Sequence, residues 1–194
     1  VKISWVMKFG VWSMRTDDVA FSVLISNFLY KRLTSDDIKF LKYCTDLKAL
    51  DLGHQSITDL NVIADNVPDL RILILADNKI TDISPLTKLK HLHYLEVFMN
   101  NITDFSPIKD MKELVDLNVC YNRVTSIEPF KNLPKLERLW IGGCGLSYSK
   151  LLELRSNYEN ATINTAGPGS TGAGWRTHER YYSMIDMYHK KNYI

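Results

Sequence analysis

The chain has 194 residues, of which 45% are hydrophobic and 24% are charged, as in an ordinary globular protein. Its 24 basic and 22 acidic residues give a net charge of +2, and this balance predicts no binding to nucleic acid or anionic membranes, since both require a clustered basic excess. Three widely spaced cysteines without a C-x-x-C pair indicate neither a zinc site nor a disulfide scaffold.

The chain begins with alternating and bulky residues. VKISWVMKFGVWSMRT, residues 1–16, predicts a hairpin or an edge strand with its turn at Gly10. VLISNF, residues 23–28, stands one repeat before the strands that follow and predicts a degenerate first strand. The longest apolar run, at 19–25, is too short to span a bilayer, so we expect no transmembrane segment in this chain.

LTSDDIKFLKYCTD, residues 33–46, predicts a helix that completes an N-terminal cap over residues 1–46. Thr34 or Ser35 is the expected N-cap, because either hydroxyl can accept a hydrogen bond from an amide of the first turn. Three apolar residues fall on one helical face and should cover the first repeat: Ile38, Leu41 and Cys44.

A repeat organises residues 47–146. Its copies match the pattern L-x-x-L-x-L-x-x-N/C-x-L, and their first leucines are 23, 22, 22 and 22 residues apart. These leucines are Leu47, Leu70, Leu92, Leu114 and Leu136. The ninth position holds Gln55, Asn78, Asn100, Asn122 and Cys144. The pattern predicts about five stacked units, since one unit cannot bury its own apolar face.

The predicted fold class is an α/β repeat solenoid, a leucine-rich repeat curved slab. Residues one, four and six of each copy should point inward from a short strand, and the strands should form a parallel β-sheet on the concave face. The ninth-position Asn residues are expected to bond the backbone of neighbouring turns as a ladder. Pro85, Pro107 and Pro129 recur at one place and predict a thin convex side of turns and short helical turns.

Residues 33–146 resemble the bacterial leucine-rich repeat proteins of the internalin type, which share the 22-residue length and the signature ITDISPL, found here at 80–86. The resemblance implies recognition of another macromolecule, commonly at a cell surface, and it implies no chemistry. It therefore favours an extracellular or surface-attached protein, with a signal or anchor possible outside this sequence. A cytoplasmic scaffold stays open as an alternative.

The candidate binding residues are those at positions three, five, seven and eight of each repeat, which should face the concave side. The set chosen for partner binding is Ile72, Ile74, Tyr94, Glu96, Phe98, Met99, Asn118, Tyr121, Arg138 and Trp140. Exposed apolar and aromatic patches mark interaction sites, so this face is predicted to bind a protein or glycan partner. Two alternatives are that the tail covers the patch through Trp175 and its tyrosines, and that the patch packs in an oligomer.

The C-terminal cap is expected to extend over residues 147–194. SYSKLLELRSNY opens with Ser149 or Ser147 as N-cap and predicts a helix. ATIN at 161–164 then predicts a short strand.

The glycines at 167–172 have the spacing G-x-G-x-x-G, which is typical of phosphate-binding turns. No strong strand-turn-helix unit with a ribose-binding acid surrounds them, so a flexible connector is favoured over a nucleotide site. Residues 177–193 then predict an aromatic helix, with four residues on one face: Tyr181, Met184, Ile185 and Tyr188.

Other side chains carry weaker signals. His91 and His93 form an H-x-H pair without a third ligand in register, which favours surface histidines over a metal site. Cys120 is expected to be an exposed, unreactive thiol, because no basic residue in its strand lowers its pKa. Cys144 stands where the repeat accepts Cys and is expected to be structural.

Asp51, Glu96 and Asp116 are the carboxylates that could be paired for acid-base chemistry. They are expected on different strands of an open surface with nothing to desolvate them, so neither a catalytic site nor a cofactor is predicted. The sequence therefore predicts one structural domain, a monomer, that recognises a protein or glycan. The alternative is a spacer module of a larger surface protein whose concave face is covered by its own tail.

Overall fold

The parallel sheet that the repeats predict is present. The computed structural model describes residues 5–6, 13–14, 22–24, 32–45 and 47–165. The predictions for Gly10, for the glycines at 167–172 and for the helix at 177–193 lie outside the described residues.

Seven strands lie in one parallel sheet, in the order in which they occur in the chain. They are β3 (Ser22–Leu24), β4 (Ala49–Asp51), β5 (Ile72–Ile74), β6 (Tyr94–Glu96), β7 (Asp116–Asn118), β8 (Arg138–Trp140) and β9 (Thr162–Asn164). The prediction of a degenerate first strand is confirmed, although the strand begins at Ser22 and ends at Leu24. β9 confirms the strand predicted from ATIN.

The N-terminal hairpin is also confirmed. β1 (Trp5–Val6) pairs antiparallel with β2 (Ser13–Met14), so the alternating segment folds back on itself. β2 in turn contacts β3 at the first edge of the parallel sheet. The hairpin therefore belongs to the N-terminal end of the solenoid.

The interior core follows directly from the repeat. The middle residue of each strand is paired in register with the middle residue of the next, as Leu73 is with Leu95 and Leu95 with Leu117. All three side chains are fully buried and belong to one hydrophobic cluster that extends from Ile38 to Ile163. Because each repeat buries its leucines only against its neighbours, the stack has one continuous core.

The convex side consists of short helical turns, as the recurring prolines predict. Three 3₁₀ helices, Ser84–Lys88, Ser106–Asp110 and Glu128–Phe130, carry proline in their first turn, where no intrahelical N–H is needed. The first repeat has no proline at this place and forms the α-helix α1 (Asn61–Ala64) instead. None of the described helices is long and apolar enough to cross a membrane.

The helix predicted over residues 33–46 is wrong as a single element. Turns precede a 3₁₀ helix at Lys39–Tyr43, and Thr34 bonds Asp37 through its backbone N–H and its hydroxyl. Competition of this kind between a hydroxyl-carboxylate turn and a helix is common for Ser, Thr and Asp. The predicted apolar face survives, since its three residues are at most 3% exposed: Ile38, Leu41 and Cys44.

The C-terminal helix is confirmed and closes the other end of the core. α2 (Tyr148–Ser156) begins after Ser147, whose hydroxyl accepts a hydrogen bond from the Lys150 N–H. Leu154 is fully buried in the core cluster, and the Tyr158 hydroxyl donates to the carbonyl of Phe130. Ser147 is thus the N-cap, and Ser149 lies inside the helix.

The asparagine ladder is confirmed in detail. The Asn100 amide donates to the carbonyls of Leu75 and Val97 at 2.8 and 3.0 Å, and its carbonyl accepts from the Ile80 N–H at 3.0 Å. Asn78 and Asn122 repeat this arrangement one unit earlier and one unit later. Each Asn therefore satisfies buried backbone groups of two adjacent repeats, where no strand partner is available.

Candidate functional site

The ten residues predicted to bind a partner lie on four neighbouring strands and just beyond their ends. The register pairs Ile72 with Tyr94 and Ile74 with Glu96. It also pairs Asn118 with Trp140 on the next two strands. Phe98, Met99 and Tyr121 follow β6 and β7 in the chain. The structure therefore places all of these predicted residues, together with Arg138 at the start of β8, along one side of the sheet.

We call positions three and five of β4 to β8 the concave floor. It consists of Ala49, Asp51, Ile72, Ile74, Tyr94, Glu96, Asp116, Asn118, Arg138 and Trp140. Ile72 and Tyr94 are 0% and 1% exposed, and Trp140 is only 6% exposed. The prediction of an exposed apolar patch is therefore wrong for the floor, Ile74 included. Strand alternation tells which side chains share a face, but it does not tell whether that face is covered.

The floor carboxylates are buried too, which corrects the prediction of an open acidic surface. Glu96 and Asp116 are fully buried, and Asp51 is 8% exposed. Glu96 accepts a hydrogen bond from the Tyr94 hydroxyl at 2.8 Å, and Asp51 accepts one from the Gly53 N–H at 2.9 Å. A buried carboxylate needs such donors, because an isolated ion is strongly disfavoured away from water.

Arg138 is the cation of the floor. Its Nε donates to Asp116 Oδ1 at 3.1 Å, and its guanidinium lies 5.5 Å from the ring centroid of Trp140. Only 12% of the Arg138 side chain is exposed. This placement suits arginine, whose planar group can bond a carboxylate while it stacks on an aromatic ring.

Beyond the strand ends lies a second, open surface, which we call the ridge: Phe98, Met99 and Tyr121. Met99 is 49% exposed and Tyr121 is 44% exposed. The rings of Phe98 and Tyr121 meet edge to face, with centroids 5.6 Å apart. The ridge is the part of the predicted site at which large apolar side chains reach solvent.

Position eight of the repeat has a left-handed backbone in four consecutive repeats. The φ angles are 60° at His54, 50° at Asp77, 54° at Met99 and 52° at Tyr121. The equivalent residue of the next repeat is Gly143, with φ 69°. A Cβ atom on Gly143 would lie 2.5 Å from the ring of Tyr121, so the glycine leaves the space that this ring occupies.

The first two repeats carry a charged cluster at this eighth position, which His54 and Asp77 occupy. Asp77 Oδ2 accepts from Arg32 Nη2 at 2.9 Å and faces His54 Nδ1 at 3.0 Å. Burial alone would raise the pKa of Asp77, but the hydrogen bonds from His54 and Arg32 outweigh it and lower the pKa. Sequence reasoning missed Arg32, because 45 residues separate it from Asp77 and it lies before the first recognisable repeat.

The two cysteines of the last repeats are both buried. Cys120 is 0% exposed, which corrects the prediction of an exposed thiol, and burial raises its pKa to about 12. Its Sγ accepts the N–H of Gly142 at 3.2 Å. Cys144 takes the place of the ladder asparagine, and its Sγ contacts the Val119 carbonyl at 3.2 Å, so its predicted structural role is confirmed.

One contact joins the two histidines of the H-x-H pair, His91 and His93. His93 Nδ1 lies 2.7 Å from the His91 carbonyl, and burial lowers the pKa of His93. Within residues 32–45 and 47–165, no three His, Cys, Asp or Glu side chains are arranged to hold a metal ion.

Comparisons with known proteins agree with the repeat architecture. The family described as leucine-rich repeats (2 copies) matches residues 68–110. An internalin of Listeria monocytogenes, inlF, superposes with a TM-score of 0.54 at 24% identity, covering 74% of this chain and 49% of its own. No curated protein sequence matches the chain.

Two further solved structures have the same fold. A leucine-rich repeat protein of Leptospira interrogans gives a TM-score of 0.59 at 28% identity, over 65% of this chain and 33% of its own. The Listeria internalin C2 gives a TM-score of 0.50 at 23% identity, over 84% of this chain and 81% of its own. This chain thus spans about half of inlF and a third of the Leptospira protein. With its 22-residue repeats, asparagine ladder and parallel sheet, the chain has the leucine-rich repeat fold and is similar in structure to the Listeria internalins.

Proposed function

We propose that this chain is a non-enzymatic recognition module that binds a protein partner, with the ridge as the main contact. The observation that carries the proposal is the exposure of Met99 and Tyr121, which lie on adjacent repeats beside the partly exposed Phe98. Large apolar side chains that cluster in the open mark interaction sites, and aromatic residues dominate binding energies. The internalin-like fold favours a place outside the cell or at its surface.

The backbone of the ridge supports this proposal. A left-handed backbone conformation costs an L-residue about 1–2 kcal/mol, and glycine, asparagine and aspartate adopt it most readily. The repeats use Asp77 and Gly143 at this position, yet Met99 and Tyr121 occupy it between them. Both side chains are about half exposed, so burial in the core gives no reason for this choice. The presence of two residues with this conformational cost is explained if a partner contacts their side chains.

Protein is favoured over glycan as the ligand. A sugar would need several polar donors and acceptors beside any aromatic ring on which it stacks, whereas the ridge itself offers only a thioether and two aromatic rings. The Arg32, His54 and Asp77 cluster adds a polar end to the same edge of the sheet. An apolar anchor flanked by a charged contact is the arrangement of protein interfaces, which have an apolar centre and a polar rim.

The test uses two ligand libraries, a displayed peptide library and a glycan array, selected on the full chain. Selected peptides should lose at least about 30-fold in affinity with Tyr121→Ala or Met99→Ala, since truncation of an interface anchor costs about 2 kcal/mol or more. Tyr148→Ala is the matched control, because Tyr148 is 73% exposed on α2, away from the ridge. The proposal would be contradicted if the selected peptides bound both ridge variants with wild-type affinity. A selection that yielded only glycans would contradict it too.

A second candidate function has its own support. The burial of the concave floor favours a spacer module of a larger surface protein, whose concave face is closed by its own chain. As buried side chains, the floor residues Ile72, Glu96 and Trp140 reach a partner only after the floor is uncovered. If the selections yield no ligand, the spacer function is the better account.

A further inference from the structure

A line of exposed side chains borders the ridge at position ten of the repeat. Positions eight and ten stand on either side of the ladder residue, whose side chain is buried, so both face outward at the same turn. Lys79 and Arg123 occupy position ten in the repeats that precede and follow the repeat of Met99, and both are exposed. Met99 therefore lies in the repeat between two cations, and Tyr121 lies in the repeat of the second one.

The backbone holds the two cations at a fixed spacing. The Lys79 N–H donates to the Ile57 carbonyl at 3.1 Å, and the Arg123 N–H donates to the Ile102 carbonyl at 3.0 Å, which is the same contact two repeats later. Because neighbouring strands lie about 4.8 Å apart, the two backbone positions are separated by about 10 Å. A partner that contacts both cations has to match this distance.

The described repeats do not neutralise either cation. Arg32 pairs with Asp77, and four lysines pair with other carboxylates: Lys48, Lys88, Lys131 and Lys135. Within residues 32–45 and 47–165, Lys79 and Arg123 form no such pair. Their charges are therefore available to a partner.

The acids that follow position ten are engaged elsewhere. Asp82 and Asp104 stand three residues after position ten, and each accepts both the N–H and the hydroxyl of the serine two residues further on, at 2.7 to 3.0 Å. These serines begin the 3₁₀ helices of the convex side, so the two carboxylates are held at the convex turns. The repeat of Arg123 has Ser126 at this place instead of an acid.

The border of the ridge is thus positive although the repeats as a whole are not. Residues 32–165 contain 16 basic and 18 acidic residues. Positions eight and ten of the five repeats, together with Arg32, contain three basic residues and one acidic residue, Asp77, with His54 counted as neutral. Interfaces place opposite charges against each other, so this edge of the sheet favours an acidic partner.

We propose that the ridge binds an extended acidic segment of a partner protein. An apolar side chain of that segment contacts Met99 and Tyr121, and its carboxylates contact Lys79 and Arg123. An extended chain rises about 3.3 Å per residue, so the two carboxylates are about three residues apart with the apolar residue between them. The assignment names the partner chemistry of the proposed recognition function and rests on that function.

The probe is a displayed library of random peptides, selected on the full chain. Selected peptides should carry Asp or Glu on both sides of an apolar residue, and the best of them is synthesised for calorimetric titration. Its affinity should fall as the salt concentration rises, because salt screens exposed ion pairs. Tyr121→Ala should weaken it at both low and high salt, since an apolar contact is not screened.

Charge reversal identifies the cations. Arg123→Glu should weaken binding of the peptide at least about fivefold, because a repulsion replaces an attraction, and Lys79→Glu should act in the same direction. Lys90→Glu is the matched control and should change the affinity less than about twofold. Lys90 is also exposed, but it precedes β6 in the chain, whereas the ridge follows that strand. A peptide with Lys in place of one acid should bind Arg123→Glu more tightly than it binds wild type.

Three results would overturn the proposal. If the selected peptides need Met99 and Tyr121 but show no acidic enrichment and tolerate both charge reversals, the acidic segment is wrong and the proposed function stands. If no selected peptide depends on the ridge, both are wrong. If sulfated glycans bind and lose affinity with Arg123→Glu but not with Tyr121→Ala, the cations serve an anionic sugar instead.

Discussion

At the scale of single residues, the asparagine ladder is where the repeat depends most on one side chain. Asn100→Ala removes the acceptor of the Ile80 N–H and donors to the Leu75 and Val97 carbonyls, all in the buried interior. Both carbonyls keep a donor from the ladder asparagine of an adjacent repeat, so the Ile80 N–H is the group left without a partner, at a cost of about 1–3 kcal/mol. We expect the free energy of unfolding to fall by about 1–3 kcal/mol, measured by urea denaturation at an unchanged m-value.

Asn101→Ala is the matched control for the ladder, because the neighbouring Asn101 side chain is exposed and its backbone bond to the Ile80 carbonyl is kept. It should cost less than about 0.5 kcal/mol, as is usual for surface substitutions. Equal losses in the two variants would show that the ladder does not stabilise the stack.

At the scale of elements, the helical turns of the convex side should accept proline only where the repeat already has it. Val62 occupies the place of Pro85 in the next repeat, at the second residue of α1. We expect Val62→Pro to change the free energy of unfolding by less than about 1 kcal/mol. Ala64→Pro should cost about 3 kcal/mol or more, because it removes the N–H that bonds the Leu60 carbonyl at 2.9 Å. Similar urea midpoints for both variants would contradict this.

Elements also differ in how far the sequence could predict them. The strands and the Asn100 contacts were predictable, because a fixed period places equivalent residues opposite each other and leaves the same backbone groups unpaired in each repeat. The segment at 33–46 was not, since the Thr34 and Asp37 turn is a local contact without a repeat to confirm it. The burial of Tyr94 was not predictable either, because alternation cannot reveal what covers a face.

At the scale of the whole molecule, ion pairs join repeat to repeat across the surface. Lys48 bonds Asp69, and Lys135 bonds Glu113, each across adjacent units. The hydrogen bonds from these lysines hold the pKa values of Asp69 and Glu113 below their ordinary values. Because a solenoid is stabilised by the sum of its neighbour contacts, these pairs act on the stack as a whole.

The pH dependence of stability follows from the direction of these shifts. A carboxyl with a lowered folded-state pKa binds fewer protons when folded, so its contribution is complete above its unfolded pKa and is lost as the pH falls through the folded one. The free energy of unfolding should therefore decrease below about pH 4.5, the ordinary range of Asp and Glu. His93, whose pKa burial lowers, should add a smaller decrease that begins below about pH 6.5.

Lys135→Gln separates the ion-pair effect from the general effect of acid. Without Lys135, the pKa of Glu113 should return toward its ordinary value, so the loss of unfolding free energy between pH 5 and pH 3 should be smaller than in wild type. Lys90→Gln removes one charge from another exposed lysine and should leave the wild-type slope. Urea denaturation at several pH values measures both slopes. If Lys135→Gln and wild type lose stability equally, the cohesion between repeats resides in the apolar core and the ladder, and the surface pairs contribute nothing to it.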